Sequence, residues 1–229
     1  MLKSIPSKFQ TAKGLSSNLP FLARHANQQS SLAKVFPSLE LKRMNQTVVR
    51  YDVVFIIDDS GSIPTRQFNL GLEALRILIE KSVFRTKFAA IKFSYEASLL
   101  FKFTSPYQAI SKLTNVLHSG GLTNTQDALR MAREDLFLNP SSGHRSGARR
   151  VALLLTDGNS NVKRDQTVPQ ANLLKVIGTE IFVIAVGNYG DSGLQEMKNI
   201  SSYPYQEHFF RVADLPTAKQ VMILISIPQ

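Results

Sequence analysis

Three oxygen-bearing side chains stand two residues apart in Asp58-Asp59-Ser60-Gly61-Ser62, between the apolar run Asp52–Ile57 and a helix-like segment that opens near Pro64. In an open α/β sheet, ligands bind outside the carboxyl ends of the strands. Asp58, Ser60 and Ser62 therefore stand where oxygen donors meet a hard divalent cation. Taken alone, the pattern describes a capped loop equally well, because Asp and Ser are ordinary turn and N-cap residues. Two further segments share the placement. Gly120-Gly121-Leu122-Thr123-Asn124-Thr125 offers a hydroxyl from a loop that glycines make flexible. Val151–Thr156 is a buried-type strand that ends in Asp157-Gly158.

Two carboxylates and three hydroxyls suit Mg²⁺, which prefers octahedral oxygen coordination and uses only one or two carboxylates; Mn²⁺ is the alternative. Cysteine is absent, and His25, His118, His144 and His208 lie outside these loops, which argues against zinc or copper. If Ser60, Ser62 and Thr123 bind directly while Asp58 and Asp157 act through water, the ion keeps its attraction for an incoming carboxylate.

The elements that must position these residues alternate in type. Strands are expected at Asp52–Ile57, Lys87–Phe93, Ser98–Phe103, Arg150–Thr156, Glu180–Val186 and Glu207–Arg211. Helices are expected at Thr65–Ser82, Pro106–Leu117, Gln126–Phe137, Val168–Ile177, Leu194–Ile200 and Leu215–Ile225, with a Ser- and Gly-rich loop over Asn139–Arg149. Strands alternating with helices imply a doubly wound α/β fold, a mostly parallel sheet with helices on both faces. The link Ser94–Ala97 is too short for a parallel crossover and predicts one antiparallel edge strand.

Charge is unevenly placed. Residues 1–50 carry eight Lys or Arg and one acid, Glu40, a net +7, against +3 for the remainder of a chain whose formal charge is +10. The expected organisation is a basic leader over 1–50, lacking a packed core of its own, and one domain over 51–229. The leader lacks the continuous apolar core of a secretory signal, and its basic, Ser-rich, acid-poor composition is that of a mitochondrial transit peptide. No stretch of about 18 apolar residues predicts a membrane span. Nucleic-acid binding would need a basic face with stacking aromatics or a known motif, and the domain shows neither.

With these residues in view, the chain from about Val53 to Ile225 resembles a von Willebrand factor A domain, the family of integrin inserted domains, matrilins and type VI collagen modules. Its metal-ion-dependent adhesion site is matched by Asp58, Ser60, Ser62, Thr123 and Asp157. Phe68, the run Phe88–Ser94, Ile181–Gly187 and His208–Asp214 are similar to the family's framework. The resemblance implies a non-enzymatic, divalent-cation-dependent adhesion module. Mg²⁺ or Mn²⁺ would accept an Asp or Glu carboxylate from a partner such as collagen or another matrix protein, outside the cell. An intracellular assembly subunit is the alternative, since the leader does not support export. A metal-dependent hydrolase fits less well: no histidine lies in the site loops, and neither a phosphate-binding loop nor a Gly-x-Ser-x-Gly elbow occurs. Asp59 adds a second carboxylate beside the metal loop, turned away from the ion or lowering its affinity for acidic ligands. Movement of Leu215–Ile225 on ligand binding is a further implication of the resemblance.

Overall fold

The computed structural model describes residues 49–82, 85–158, 160–185 and 189–211. Its elements run β1 (Tyr51–Asp58), α1 (Thr65–Glu80), β2 (Thr86–Phe93), β3 (Ala97–Thr104), α2 (Pro106–Leu113), α3 (Thr125–Met131), β4 (Arg149–Thr156), α4 (Arg164–Val176), β5 (Thr179–Ala185), α5 (Asp191–Ile200), the short α6 (Tyr205–His208) and β6 (Phe209–Arg211). The six strands form one sheet in the order β3-β2-β1-β4-β5-β6. Among the described strands only β2–β3 is antiparallel, as the short link between them requires.

Both faces of β1 are covered, which is why it reads as a continuous apolar run rather than an alternating one. Val53, Phe55 and Ile57 point to one face, against Phe68, Leu72, Leu75 and Ile79 of α1 and Leu113 of α2. Val54 and Ile56 point to the other, where Ala128 and Leu129 of α3, Ala171 and Leu174 of α4, and Met197 and Ile200 of α5 complete a second core. The Phe55 and Phe88 rings stack at 5.4 Å between centroids, joining β1 to β2.

Asp52 is the polar exception at the start of β1. It is fully buried, and its carboxylate accepts from Arg145 Nη2 (2.6 Å), Arg145 Nε (2.9 Å), the Arg145 backbone N–H (2.7 Å) and His144 Nδ1 (2.8 Å). Because Arg150 Nε donates to His144 Nε2 at 3.2 Å, the proton of the neutral imidazole sits on Nδ1. Burial holds the His144 pKa below its usual range, against the opposing pull of Asp52. One carboxylate thus ties the Ser- and Gly-rich loop to the sheet.

Several element boundaries differ from expectation. The helix expected to reach Leu117 stops at Leu113, with Thr114 as its C-cap, and the Leu117 carbonyl beyond it accepts from Lys92 Nζ at 2.9 Å. The stretch Gln126–Phe137 is α-helical only to Met131 and continues in a wider π-turn over Ala132–Phe137. Pro169 suggests a helix start at Val168, yet α4 begins at Arg164 and carries the proline inside it, giving up one backbone bond. Helix α5 also begins earlier, at Asp191 instead of Leu194, and the expected strand from Glu207 starts at Phe209 after the α6 turn. Pro140–Ser142 forms a 3₁₀ turn within the expected loop. The expected last helix, Leu215–Ile225, and nearly all of the leader lie outside the described residues. Among the described residues, no helix is long and apolar enough to cross a membrane.

Candidate metal centre

The strand order reverses at β1, which pairs with β2 on one side and β4 on the other. The carboxyl ends of β1 and β4 therefore lie side by side, at the kind of switch point where open α/β sheets bind ligands. Asp58 closes β1 and Thr156 closes β4, and the Thr156 hydroxyl donates to Asp58 Oδ2 at 2.5 Å. The loop after β1 folds back so that the Ser60 backbone N–H donates to Asp58 Oδ1 at 2.9 Å. Ser60 Oγ lies 3.0 Å from Ser62 Oγ, and Ser62 Oγ donates to Asp157 Oδ1 at 2.9 Å. Asp58, Ser60, Ser62 and Asp157 thus form one hydrogen-bonded chain, running from buried Asp58 and Ser60 to exposed Ser62 and half-buried Asp157.

Thr123 arrives on the third loop. It is buried, and Asn161 holds its backbone from both sides: Asn161 Oδ1 accepts from Thr123 N at 2.8 Å, and Asn161 N donates to Thr123 O at 3.0 Å. Gly61 N donates to Gly121 O at 3.0 Å, joining the first loop to the third. This close approach depends on glycine at position 121. Its φ is +120°, and a Cβ there would lie 2.8 Å from the Tyr95 ring. Gly121→Ala is expected to cost about 1–3 kcal/mol in backbone strain and ring displacement; thermal unfolding would read it.

Four residues of the site were not singled out from sequence: Thr156, Asn161, Lys92 and His118. Thr156 adjoins Asp157 and carries a local signal. Asn161 meets Thr123 across 38 positions, which no local pattern announces. His118 corrects the expectation that the histidines stay away from these loops. Its Nε2 lies 3.1 Å from the Ser60 carbonyl and its Nδ1 3.2 Å from Thr65 Oγ1, so the ring braces the loop backbone. Asp59 turns away from the other carboxylates and accepts from Lys92 Nζ at 2.8 Å.

The electrostatics separate the carboxylates into two kinds. Asp52 pairs with Arg145, Asp59 with Lys92 and Glu196 with Arg164. Among the described ion pairs, none neutralises Asp58 or Asp157. Burial pushes the Asp58 pKa up to about 6, against hydrogen bonds from Ser60 and Thr156 and with a further push from the Asp157 charge. Burial also raises Asp157, against the Ser62 hydrogen bond. Two carboxylates that no cation of the described residues neutralises, set among hydroxyls, form a hard-oxygen donor set that suits Mg²⁺ or Mn²⁺. Among the described residues, no group of three or more His, Cys, Asp or Glu side chains is arranged to hold a metal, so a site rich in nitrogen, sulfur or carboxylate ligands does not compete with it.

Fold and site together define a doubly wound α/β domain whose strand ends bring the oxygens of Asp58, Ser60, Ser62 and Asp157 together. The chain belongs to the family described as von Willebrand factor type A domain, which matches residues 52–222. Among its relatives, mouse (Mus musculus) integrin alpha-X is 30% identical over 179 residues, covering 74% of this chain and 15% of the integrin. Bovine (Bos taurus) matrilin-1 is 29% identical over 176 residues, covering 74% of this chain and 31% of matrilin-1. The chain therefore spans about a third or less of the length of these curated relatives. Among solved structures, proximal thread matrix protein 1 from the mussel byssus superposes with a TM-score of 0.69 at 19% identity, covering 77% of this chain and 47% of that one. A second structure of that protein, with a TM-score of 0.67, is described as having a zinc-occupied MIDAS motif.

Proposed function

We propose that this chain is a non-enzymatic, divalent-cation-dependent protein-binding module. The observation that carries the proposal is the pair of carboxylates that no described ion pair neutralises, Asp58 and Asp157, joined through the Ser60 backbone N–H and the hydroxyls of Ser60 and Ser62. Asp58, Ser60, Ser62, Thr123 and Asp157 would hold Mg²⁺ or Mn²⁺. A bound ion would supply an electrophilic position for an Asp or Glu carboxylate of a partner protein. With the hydroxyls of Ser60, Ser62 and Thr123 as direct ligands and Asp58 and Asp157 acting through water, no formal negative charge from the chain would touch the ion, which would keep its attraction for an anionic ligand. The relatives named as an integrin and a matrilin, together with collagen alpha-1(XII) of Notophthalmus viridescens at 28% identity, support a partner of matrix type, such as collagen. The zinc-occupied site of the mussel protein supports the ability of this fold to hold a divalent ion.

The chain's own residues do the positioning. Thr156 and the Ser60 N–H orient Asp58, Asn161 fixes the Thr123 backbone, and Gly61–Gly121 joins the two loops. Calorimetric titration with Mg²⁺ and Mn²⁺ tests the proposal on the full chain. Binding is expected in the wild type, and Thr123→Ala is expected to weaken it by about tenfold or more, the loss of one well-placed interaction to a charged group. A wild type silent toward both ions, or a Thr123→Ala chain that binds as tightly, would overturn it.

A further inference from the structure

Asp59 sits between two residues of the proposed metal centre, yet it is 1% exposed and faces the opposite way. Its Oδ2 accepts from Lys92 Nζ at 2.8 Å, and its Oδ1 accepts from the Ser119 backbone N–H at 2.8 Å. Lys92 reaches it because the β1–β2 register sets Lys92 beside Ile57, one step from the strand end. The Lys92 side chain is 19% exposed, and its ammonium also donates to Ser119 Oγ at 2.6 Å and the Leu117 carbonyl at 2.9 Å. All three of its protons thus have acceptors, and the ammonium is fixed in place. His118 Nε2 lies 3.9 Å from the other Asp59 oxygen.

We propose that the Asp59–Lys92 pair sets the charge of the metal centre. Lys92 neutralises a buried carboxylate adjoining Asp58, so the site binds its ion without the surplus negative charge that would blunt the ion's attraction for an acidic partner. The inference rests on the divalent-cation reading above. Its physical basis is that buried charges are poorly screened and act on neighbouring charges over several ångströms. The Asp59 carboxylate without its ammonium would bind the ion more tightly and repel the partner's carboxylate. An ammonium without its carboxylate would do the reverse to the ion.

This predicts opposite signs for the two single substitutions. Mn²⁺ alone is the calorimetric probe, with the full chain. Lys92→Gln is expected to tighten Mn²⁺ by about tenfold and Asp59→Asn to weaken it by about tenfold, the size of effect one nearby charge has on a neighbouring ionic equilibrium. The double substitution, which removes both charges, is expected to return to within about threefold of wild type. Melting in EDTA reports that each chain is folded. If Asp59→Asn does not fold, Lys92→Gln decides by its sign, tighter binding supporting the proposal and unchanged or weaker binding overturning it; if Lys92→Gln does not fold, Asp59→Asn must weaken binding and the double variant restore it, and any other result overturns the proposal. A purely mechanical tie between loops would weaken binding in both single variants without restoring it in the double, and that result overturns the proposal while leaving the metal centre standing. A wild type that takes up no Mn²⁺ overturns the metal-centre reading and this inference with it.

Discussion

Asp58→Asn is expected to stabilise the metal-free protein at neutral pH while abolishing divalent-cation binding. The sign follows from linkage. Burial raises the Asp58 pKa to about 6 in the folded chain, whereas the unfolded chain titrates near the ordinary value of about 3.9. The folded state therefore holds the proton more tightly. The stability this confers is complete below about pH 4 and is lost as pH rises through about 6. The difference between the folded and unfolded values corresponds to about 3 kcal/mol. Asparagine removes the ionised form and preserves the geometry: its oxygen accepts from Ser60 N–H and its amide donates to Thr156 Oγ1. In EDTA, the variant is expected to unfold about 6–12 °C above wild type at pH 7, for a gain of about 3 kcal/mol in a domain of this size, and the difference is expected to vanish near pH 4. With Mn²⁺ in excess the order reverses, because only wild type gains stability from the ion. A variant that melts below wild type in EDTA at pH 7 would show that the unneutralised carboxylate costs the fold nothing.

Asp52→Ala is expected to produce the largest loss of stability, about 3–5 kcal/mol, the usual result of removing one partner of a buried ion pair. The side chain has no exposed surface and accepts four hydrogen bonds from His144 and Arg145. Its removal leaves the Arg145 guanidinium facing the sheet with the Tyr51 and Arg85 carbonyls and frees the loop before β4. This end of the sheet is opposite the carboxyl ends of β1 and β4, so Mn²⁺ affinity is expected to hold in the fraction that remains folded. Urea unfolding measures the first effect and calorimetry the second. A shift below about 1 kcal/mol would mean that Arg145 and His144 find solvent without penalty.

These two carboxylates show where local sequence stops being informative. Asp58 is legible because it ends an apolar run and stands two residues from Ser60 and four from Ser62; a single turn brings such neighbours together whatever the rest of the chain does. Asp52 begins the same run and carries no local signal, because its partners lie more than 90 positions away. The parallel core strands were legible from their length and apolar composition, and the antiparallel β3 from the brevity of one link. Helix ends were less so. Helix α2 ends at Leu113, short of the helical pattern of Pro106–Leu117, and the residues after it carry the Leu117 carbonyl to Lys92, a tertiary contact that no local pattern announces.

By itself, the sequence determined the α/β class, the strand-end placement of Asp58, Ser60 and Ser62, and the loops that carry Thr123 and Asp157. Hydrophobic period and turn chemistry act over a few residues and suffice for that. Only the tertiary structure decided which carboxylates have a cation. Asp59 was open to either direction in sequence, and the β1–β2 register turned it to Lys92; the β1–β4 adjacency left Asp58 and Asp157 facing each other through hydroxyls. Charge pairing over distances of about 3–4 Å depends on how strands far apart in the chain are laid side by side.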